Sequence, residues 1–232
     1  MDIILEKLNT VKNNEQKVYN AGKKTQYDEF WDNYQERGNR SDYLQAFAGR
    51  GWDSDTFHPK YDIKPTTNAE RMFQNFGIRL GEKVDLVEAL NGINIDFSNC
   101  ERMYYTFFFA KISKIGILDI SSAVNTTGML SNCSVETIEK MVFSAKTDMS
   151  TIFNDATSLK NINETDGIIS SSFVVKQCPL TKATFENLVR ILSDETTGLA
   201  CTWRTTYKNE AFTDAEWNTL IATKPNWTFA MA

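Results

Sequence analysis

The chain has 232 residues, of which 41% are hydrophobic and 24% are charged, and its mean hydropathy is -0.39. This length accommodates one domain, or one domain with an appendage, and the composition excludes a disordered or membrane-embedded chain. The 25 basic and 30 acidic side chains give a net charge of -5. Negative charge opposes binding to phosphates, so we expect no nucleic-acid partner.

Targeting, membrane and metal signals are missing from the sequence. The opening MDIILEKLNTVKNN has no apolar core followed by a small-residue cleavage site, so we expect no signal peptide. The longest apolar patch, around residues 104–110, is far shorter than the roughly 18 residues of a spanning helix, and we expect no membrane insertion. The four cysteines form no CxxC pair, which predicts reduced core thiols with neither a metal nor a cofactor.

Candidate catalytic groups are few. His58 is the only histidine, and it precedes Pro59 in an aromatic loop. No nucleophile motif accompanies it, and the glycines at 49 and 51 favour a turn over a phosphate-binding loop. We therefore predict a protein that is not an enzyme and has no catalytic, cofactor-binding or metal-binding residues.

Residues 1–37 are predicted to form an N-terminal helix for attachment or oligomerisation. The a and d positions of a short heptad frame hold Ile4, Leu8, Val11 and Val18. An isolated helix of this kind is marginal in water, so its apolar stripe must pack on something. Self-association and packing on the chain's own body are both compatible with the pattern.

Residues 38–66 form an aromatic junction, in which Trp52 and Phe57 are two of several large rings. Such rings are more often core than surface, although exposed aromatics also stack on sugar faces. The sequence leaves both interpretations open.

Residues 67–178 carry a repeated motif that predicts a solenoid. The second motif position is held by Phe73, Phe107, Leu130 and Phe153, and the last two intervals are each 23 residues. Strands are predicted at 115–120 and 138–143, with Leu118 and Met141 again 23 residues apart. The longer first interval predicts a helical insertion at 85–90, and a buried Asn is expected to cap each corner above a small Cys or Ala. The predicted repeat core comprises Phe73, Phe107, Leu118, Leu130, Met141 and Phe153.

Residues 179–232 predict a C-terminal α/β unit that caps the stack. A helix capped by Thr181 is expected to continue to about residues 197–198, and a strand to span 199–206. The Thr213 to Glu216 capping box introduces a second helix, and residues 227–231 form a last strand.

The aromatic lead-in FWDNYQERGNRSDYLQAFAGRGW, the segment IDFSNCERMYYTFFFAKISKIGILDIS and the C-terminal EWNTLIATKPNWTF together resemble BspA-like leucine-rich-repeat proteins. The likeness is to the short type found in tailed phages and prophages of gut Firmicutes, and it covers nearly the whole chain. The resemblance implies a right-handed leucine-rich-repeat-like β-solenoid. Together with the N-terminal helix and the C-terminal α/β capping unit predicted from the residues, the expected fold class is α+β, with an irregular solenoid between these two elements. The resemblance also implies a tail, baseplate or fibre-associated virion protein without catalytic residues.

The expected function is that of a phage virion structural protein that presents a repeat surface for host attachment. It is expected on the virion exterior after assembly in the bacterial cytoplasm. Its expected partners are its own copies, with a trimer as one candidate state, other virion proteins, and a host-surface glycan or protein. A capsid decoration or head fibre, a bacterial surface adhesin or interaction module, and an enzyme acting on surface polysaccharide are the alternatives.

Overall fold

The computed structural model describes residues 43, 45–49, 52, 57, 59, 62–77 and 83–232. The predicted N-terminal helix, with Ile4, Leu8, Val11 and Val18, lies outside the described residues. In chain order the helices and strands are β1 (Val84–Asp85), α1 (Leu86–Leu90), β2 (Ile112–Asp119), β3 (Thr137–Phe143), β4 (Asn161–Gly167), β5 (Phe173–Val174), α2 (Lys182–Arg190), β6 (Leu199–Trp203), α3 (Thr205–Ala211), α4 (Asp214–Ile221) and β7 (Trp227–Met231).

The strands form two parallel sheets, and the fold is a mixed α/β arrangement in which neither sheet closes into a barrel. The first sheet has the order β1-β2-β3-β4 and the second β5-β6-β7, so each strand pairs with the next one along the chain. Leu118 lies opposite Met141, which confirms the predicted 23-residue offset. The expected helical insertion is also confirmed: it is α1, whose first turn is capped by the Asp85 carboxylate.

Four turn segments, at 69–76, 103–110, 126–133 and 149–156, stack beside the first sheet. Each contains backbone hydrogen bonds between residues three apart, as from the Met129 N–H to the Thr126 carbonyl at 3.0 Å. Neighbouring segments are joined by further backbone bonds, such as that from the Phe73 N–H to the Thr106 carbonyl at 2.7 Å. Residues 45–49, within the proposed aromatic junction, donate to the 69–76 segment in the same way.

The turn segments show a different role for asparagine from the one expected. Asn132 is exposed and has a φ of +55°, so it supplies the left-handed conformation that the turn requires and does not cap buried groups. The small residues beneath the corners are buried as predicted, among them Ala110 and Cys133. Left-handed backbone, together with space for small side chains, therefore defines these corners.

One hydrophobic core runs through the described part of the chain. All six residues predicted for the repeat core are at most 1% exposed, and burying each apolar side chain contributes about 1.5–3 kcal/mol. The rings of Phe73 and Phe107 stack 5.1 Å apart, and Trp52 and Phe57 are fully buried at one end of the same column. The four cysteines are free and buried, which confirms the expected core thiols.

The C-terminal unit departs from the prediction at three places. Helix α2 ends at Arg190 because the following residues leave it to pair with Ile169: the Ile169 N–H donates to the Ile191 carbonyl at 2.9 Å. The Thr181 hydroxyl donates toward the Lys160 carbonyl at 3.3 Å and makes no capping bond to α2. Strand β6 ends at Trp203, and the residues expected to extend it form α3.

The rest of the unit matches the expectation. Thr213 and Glu216 form a reciprocal capping box at α4, and β7 has the predicted bounds. The β6 and β7 strands are joined at their ends by the bond from the Ala232 N–H to the Trp203 carbonyl at 2.9 Å. Thr205 donates back to the Ala232 carbonyl, which fixes the start of α3. This return contact was not predictable from local sequence.

Candidate functional site

Four neighbouring aromatic rings form a surface strip on the second turn segment, and we call Tyr104, Tyr105, Phe108 and Phe109 the aromatic strip. Consecutive ring centroids along it are 4.2, 4.4 and 4.5 Å apart. Phe109 is 42% exposed, and the other three rings are half-buried. The strip is therefore a continuous aromatic surface that water can reach.

The turn geometry places these rings outside. Within residues 103–110 the buried positions are Met103, Thr106, Phe107 and Ala110, so the intervening pairs of aromatics face outward. The Thr106 hydroxyl lies 3.0 Å from the Ala69 carbonyl oxygen of the preceding segment, which fixes the two segments against each other, and 2.7 Å from the Met103 carbonyl oxygen of its own segment. Phe107 thus anchors the segment in the core while the strip lies on the surface.

Two rings of the strip are attached to strained backbone. Tyr105 and Phe109 have φ values of +53° and +56°, in the left-handed region that bulky residues avoid. The positions 23 residues later hold Gly128 and Asn132, with φ values of +58° and +55°. Because a left-handed residue with a Cβ costs roughly 1–2 kcal/mol, aromatic residues here are a poor choice for stability. Strain of this kind clusters at functional sites.

The Tyr105 ring lies against Gly128, in space that a side chain at this position would occupy. A Cβ atom at this glycine would be 2.1 Å from Cε1 of Tyr105. The lack of a side chain at Gly128 therefore allows Tyr105 to lie flat between its neighbours and complete the strip.

Arg71 extends the strip onto the preceding turn segment. Its guanidinium carbon lies 5.3 Å from the centre of the Tyr104 ring, within the range of a cation–π contact. Its Nη2 donates a 3.3 Å hydrogen bond to the Tyr104 hydroxyl, and this bond raises the pKa of Arg71 above its usual value. The strip therefore has an aromatic body and one permanently charged end.

Two other surfaces are weaker candidates. An apolar cleft of about 250 Å³ lies between α1 and β2, lined by residues such as Val87 and Ile117. No ionisable side chain lines it, so it offers little to orient a ligand. The outer face of the first sheet carries Lys114 paired with Glu139, and this lysine lowers the pKa of the glutamate. These two charges are matched within the protein.

The strip was not predicted as a site. In the sequence, residues 104–110 stand out as an apolar patch and as part of the repeated motif, whose second position, Phe107, is predicted to lie in the core, where the structure places it. The repeat is the signal that could have identified the strip. When Tyr105 and Phe109 are aligned with Gly128 and Asn132, 23 residues later, aromatic residues stand at positions where the next repeat has small ones. Arg71 gave no sequence signal, since its place beside Tyr104 depends on how the segments stack.

Comparison of the chain with protein-family models, with curated proteins and with solved structures finds no match. Among the described residues, no group of three or more His, Cys, Asp or Glu side chains is arranged to hold a metal ion. In that same part of the chain, every helix is too short or too polar to cross a membrane.

Proposed function

We propose that the chain is a structural protein of a bacteriophage virion, a tail, baseplate or fibre component that binds carbohydrate on the host surface through the aromatic strip. The phage assignment rests on the sequence resemblance described above. The carbohydrate assignment rests on the strip. In this proposal the protein recognises its ligand and performs no chemistry on it.

The parallel strand order supports a leucine-rich-repeat-like β-solenoid as the scaffold. Each strand of the first sheet pairs with the next along the chain, and Leu118 and Met141 are paired at the repeat length. The backbone hydrogen bonds between turn segments follow the same order. A stack of this kind presents equivalent positions side by side, so surface residues can vary while the core is retained.

The single observation that carries the carbohydrate assignment is the pair of strained aromatics, Tyr105 and Phe109. Glycine or asparagine at both positions would give a more stable fold, so the rings must be present for a reason other than stability. Aromatic rings bury large areas at low conformational cost and bind the flat apolar faces of other rings. Sugar faces fit this surface better than stacked nucleobases do, because the net charge of -5 repels nucleic-acid phosphates.

The test is the affinity of the full chain for purified host cell-wall polysaccharides, measured by titration calorimetry. The double variant Tyr105→Asn, Phe109→Asn removes both rings and keeps residues that tolerate the left-handed backbone. Each aromatic contact contributes about 0.5–1.5 kcal/mol, so we expect about a tenfold loss of affinity or more. The control Tyr207→Asn removes a half-buried tyrosine on α3 and should leave binding unchanged.

Circular dichroism of the double variant should match that of the original chain, because neither ring is fully buried. Equal affinity of the double variant and the original chain would overturn the assignment of the strip. Failure of the original chain to bind any wall polysaccharide would overturn the carbohydrate assignment altogether.

A further inference from the structure

Arg71 is a cation with no acidic partner among the residues that the structure describes. The ion pairs of the described residues are all formed by lysines, and Arg71 takes part in none of them. No acceptor in the described part of the chain bonds to its enclosed Nε, while its Nη2 has the 3.3 Å bond to the Tyr104 hydroxyl. A partly desolvated guanidinium is normally bonded to a carboxylate or to several acceptors, and among the described residues this one has the Tyr104 hydroxyl alone.

The described acidic side chain nearest to Arg71 in sequence does not pair with its guanidinium. Among the described residues, Glu70, its neighbour in the chain, is the one carboxylate whose charge helps to raise the pKa of Arg71. Glu70 forms no ion pair with Arg71, and its backbone N–H is bonded to the Asn68 side chain at 2.9 Å. Within the described part of the chain no ion pair therefore occupies the guanidinium, and an anion from outside the protein can bind it.

The position of Arg71 links it to the aromatic strip. Its φ of +54° matches that of Tyr105, so both residues occupy the strained left-handed position of their turn segments. The two segments are joined by the hydrogen bond from the Arg71 N–H to the Tyr104 carbonyl at 3.0 Å. Arg71 and Tyr105 thus lie at equivalent positions of adjacent segments, on one surface. At each position a smaller residue would be less strained.

We propose that Arg71 and the aromatic strip form one site for an acidic glycan, whose sugar rings lie on the strip while a carboxylate or phosphate of the same chain binds the Arg71 guanidinium. This inference rests on the proposed function. Its chemical basis is that a planar guanidinium binds a carboxylate or phosphate through two parallel hydrogen bonds. Stacking on Tyr104 holds the guanidinium plane in a fixed orientation.

The experiment compares two polymers that share one sugar backbone and differ in charge, and adds a third polymer that carries phosphate. Polygalacturonate carries a carboxylate on each sugar, and its fully methyl-esterified form is neutral. A phosphodiester-linked teichoic acid serves as the phosphate source. Affinities of the full chain are measured by calorimetry for Arg71→Gln, for Arg71→Lys and for the control Arg204→Gln. Arg204 is a suitable match because it also lies over a tyrosine, at 5.4 Å from the Tyr207 ring centre.

We expect the original chain to bind an acidic polymer more tightly than the esterified one. Arg71→Gln should lower the affinity for the acidic polymer by a factor of about ten or more. Binding to the esterified polymer should not change, and Arg71→Lys should recover part of the loss. The acidic polymer that is preferred identifies carboxylate or phosphate as the recognised group. Arg204→Gln should bind as the original chain does.

Three results would overturn the inference. They are equal affinity for the acidic and esterified polymers, an unchanged acidic affinity in Arg71→Gln, and an equal loss for both polymers in that variant, which would indicate a structural role. The proposed function can hold where this inference fails. If the Tyr105→Asn, Phe109→Asn variant loses binding to the esterified polymer while Arg71→Gln binds normally, the strip binds sugars and the anion assignment alone is wrong.

Discussion

Alanine substitution of three glycines should destabilise the protein to different extents, in an order set by what each new Cβ atom meets. Gly128, Gly167 and Gly198 all have left-handed φ values, of +58°, +83° and +75°. At Gly198 the added Cβ meets nothing within 4 Å. At Gly128 it would be 2.1 Å from a Tyr105 ring atom, and at Gly167 it would be 2.0 Å from the Phe143 carbonyl oxygen.

The magnitudes follow from these contacts. Gly198→Ala adds backbone strain alone, roughly 1–2 kcal/mol, partly offset by the reduced entropy of the unfolded chain. Gly128→Ala also displaces the Tyr105 ring and its stacking on Phe108, for a total of about 2 kcal/mol. Gly167→Ala forces apart two paired strands, because Gly167 lies directly opposite Phe143 in the β3–β4 register. Overpacking and strain together should then cost about 3 kcal/mol or more.

Urea unfolding followed by circular dichroism measures the three free energies. A double-mutant cycle isolates the ring contact, because Gly128→Ala made in a Tyr105→Ala background should cost no more than Gly198→Ala. Gly128→Ala should also weaken glycan binding without altering any residue of the aromatic strip. Equal destabilisation by all three substitutions would show that Gly128 and Gly167 do not make these close contacts with Tyr105 and Phe143, because backbone strain is common to all three positions.

Two further predictions concern the thiols and the capping box of α4. Burial raises the pKa of the Cys133 thiol to about 12, so the four buried cysteines should not react with a disulfide reagent at pH 8 until urea unfolds the chain; rapid labelling of the folded protein would contradict their core placement. Glu216 bonds to Lys182 and to Thr213, and these contacts lower its pKa from 4.5 to about 2. Its contribution to stability is therefore present above pH 4.5 and is lost as the pH falls toward 2. Glu216→Gln should lower stability at pH 7 and differ less from the original chain at pH 2; an equal difference at both values would refute the ionic explanation.

The sequence predicted those elements whose signals are local. The capping box at Thr213, the terminal strand and the helical insertion at 85–90 each depend on residues within one turn or strand. The 23-residue spacing of Leu118 and Met141 was equally visible because a repeat brings equivalent residues into register. These features needed no knowledge of distant contacts.

Elements defined by distant contacts were not predictable in the same way. Helix α2 ends where its chain pairs with Ile169, more than twenty residues earlier, and α3 begins where Thr205 meets the carbonyl of Ala232. The left-handed conformation of Tyr105 has no local cause, since aromatic residues disfavour it. It is imposed by hydrogen bonds to the next turn segment, such as that from the Tyr105 N–H to the Thr127 carbonyl at 3.0 Å.

The position of the strip within the stack explains how its strain is tolerated. Strained residues persist only where the surrounding structure over-determines them. The 103–110 segment is held from both sides: the Asn75 N–H donates to the Phe108 carbonyl at 2.9 Å, and the Phe109 N–H donates to the Ser131 carbonyl at 3.1 Å. Bulky aromatics at left-handed positions are therefore best accommodated in a segment with two hydrogen-bonded neighbours. The same hydrogen bonds on both sides fix the positions of the rings before a ligand binds. The stack of turn segments therefore supplies both the tolerance for strain and the rigidity of the proposed site.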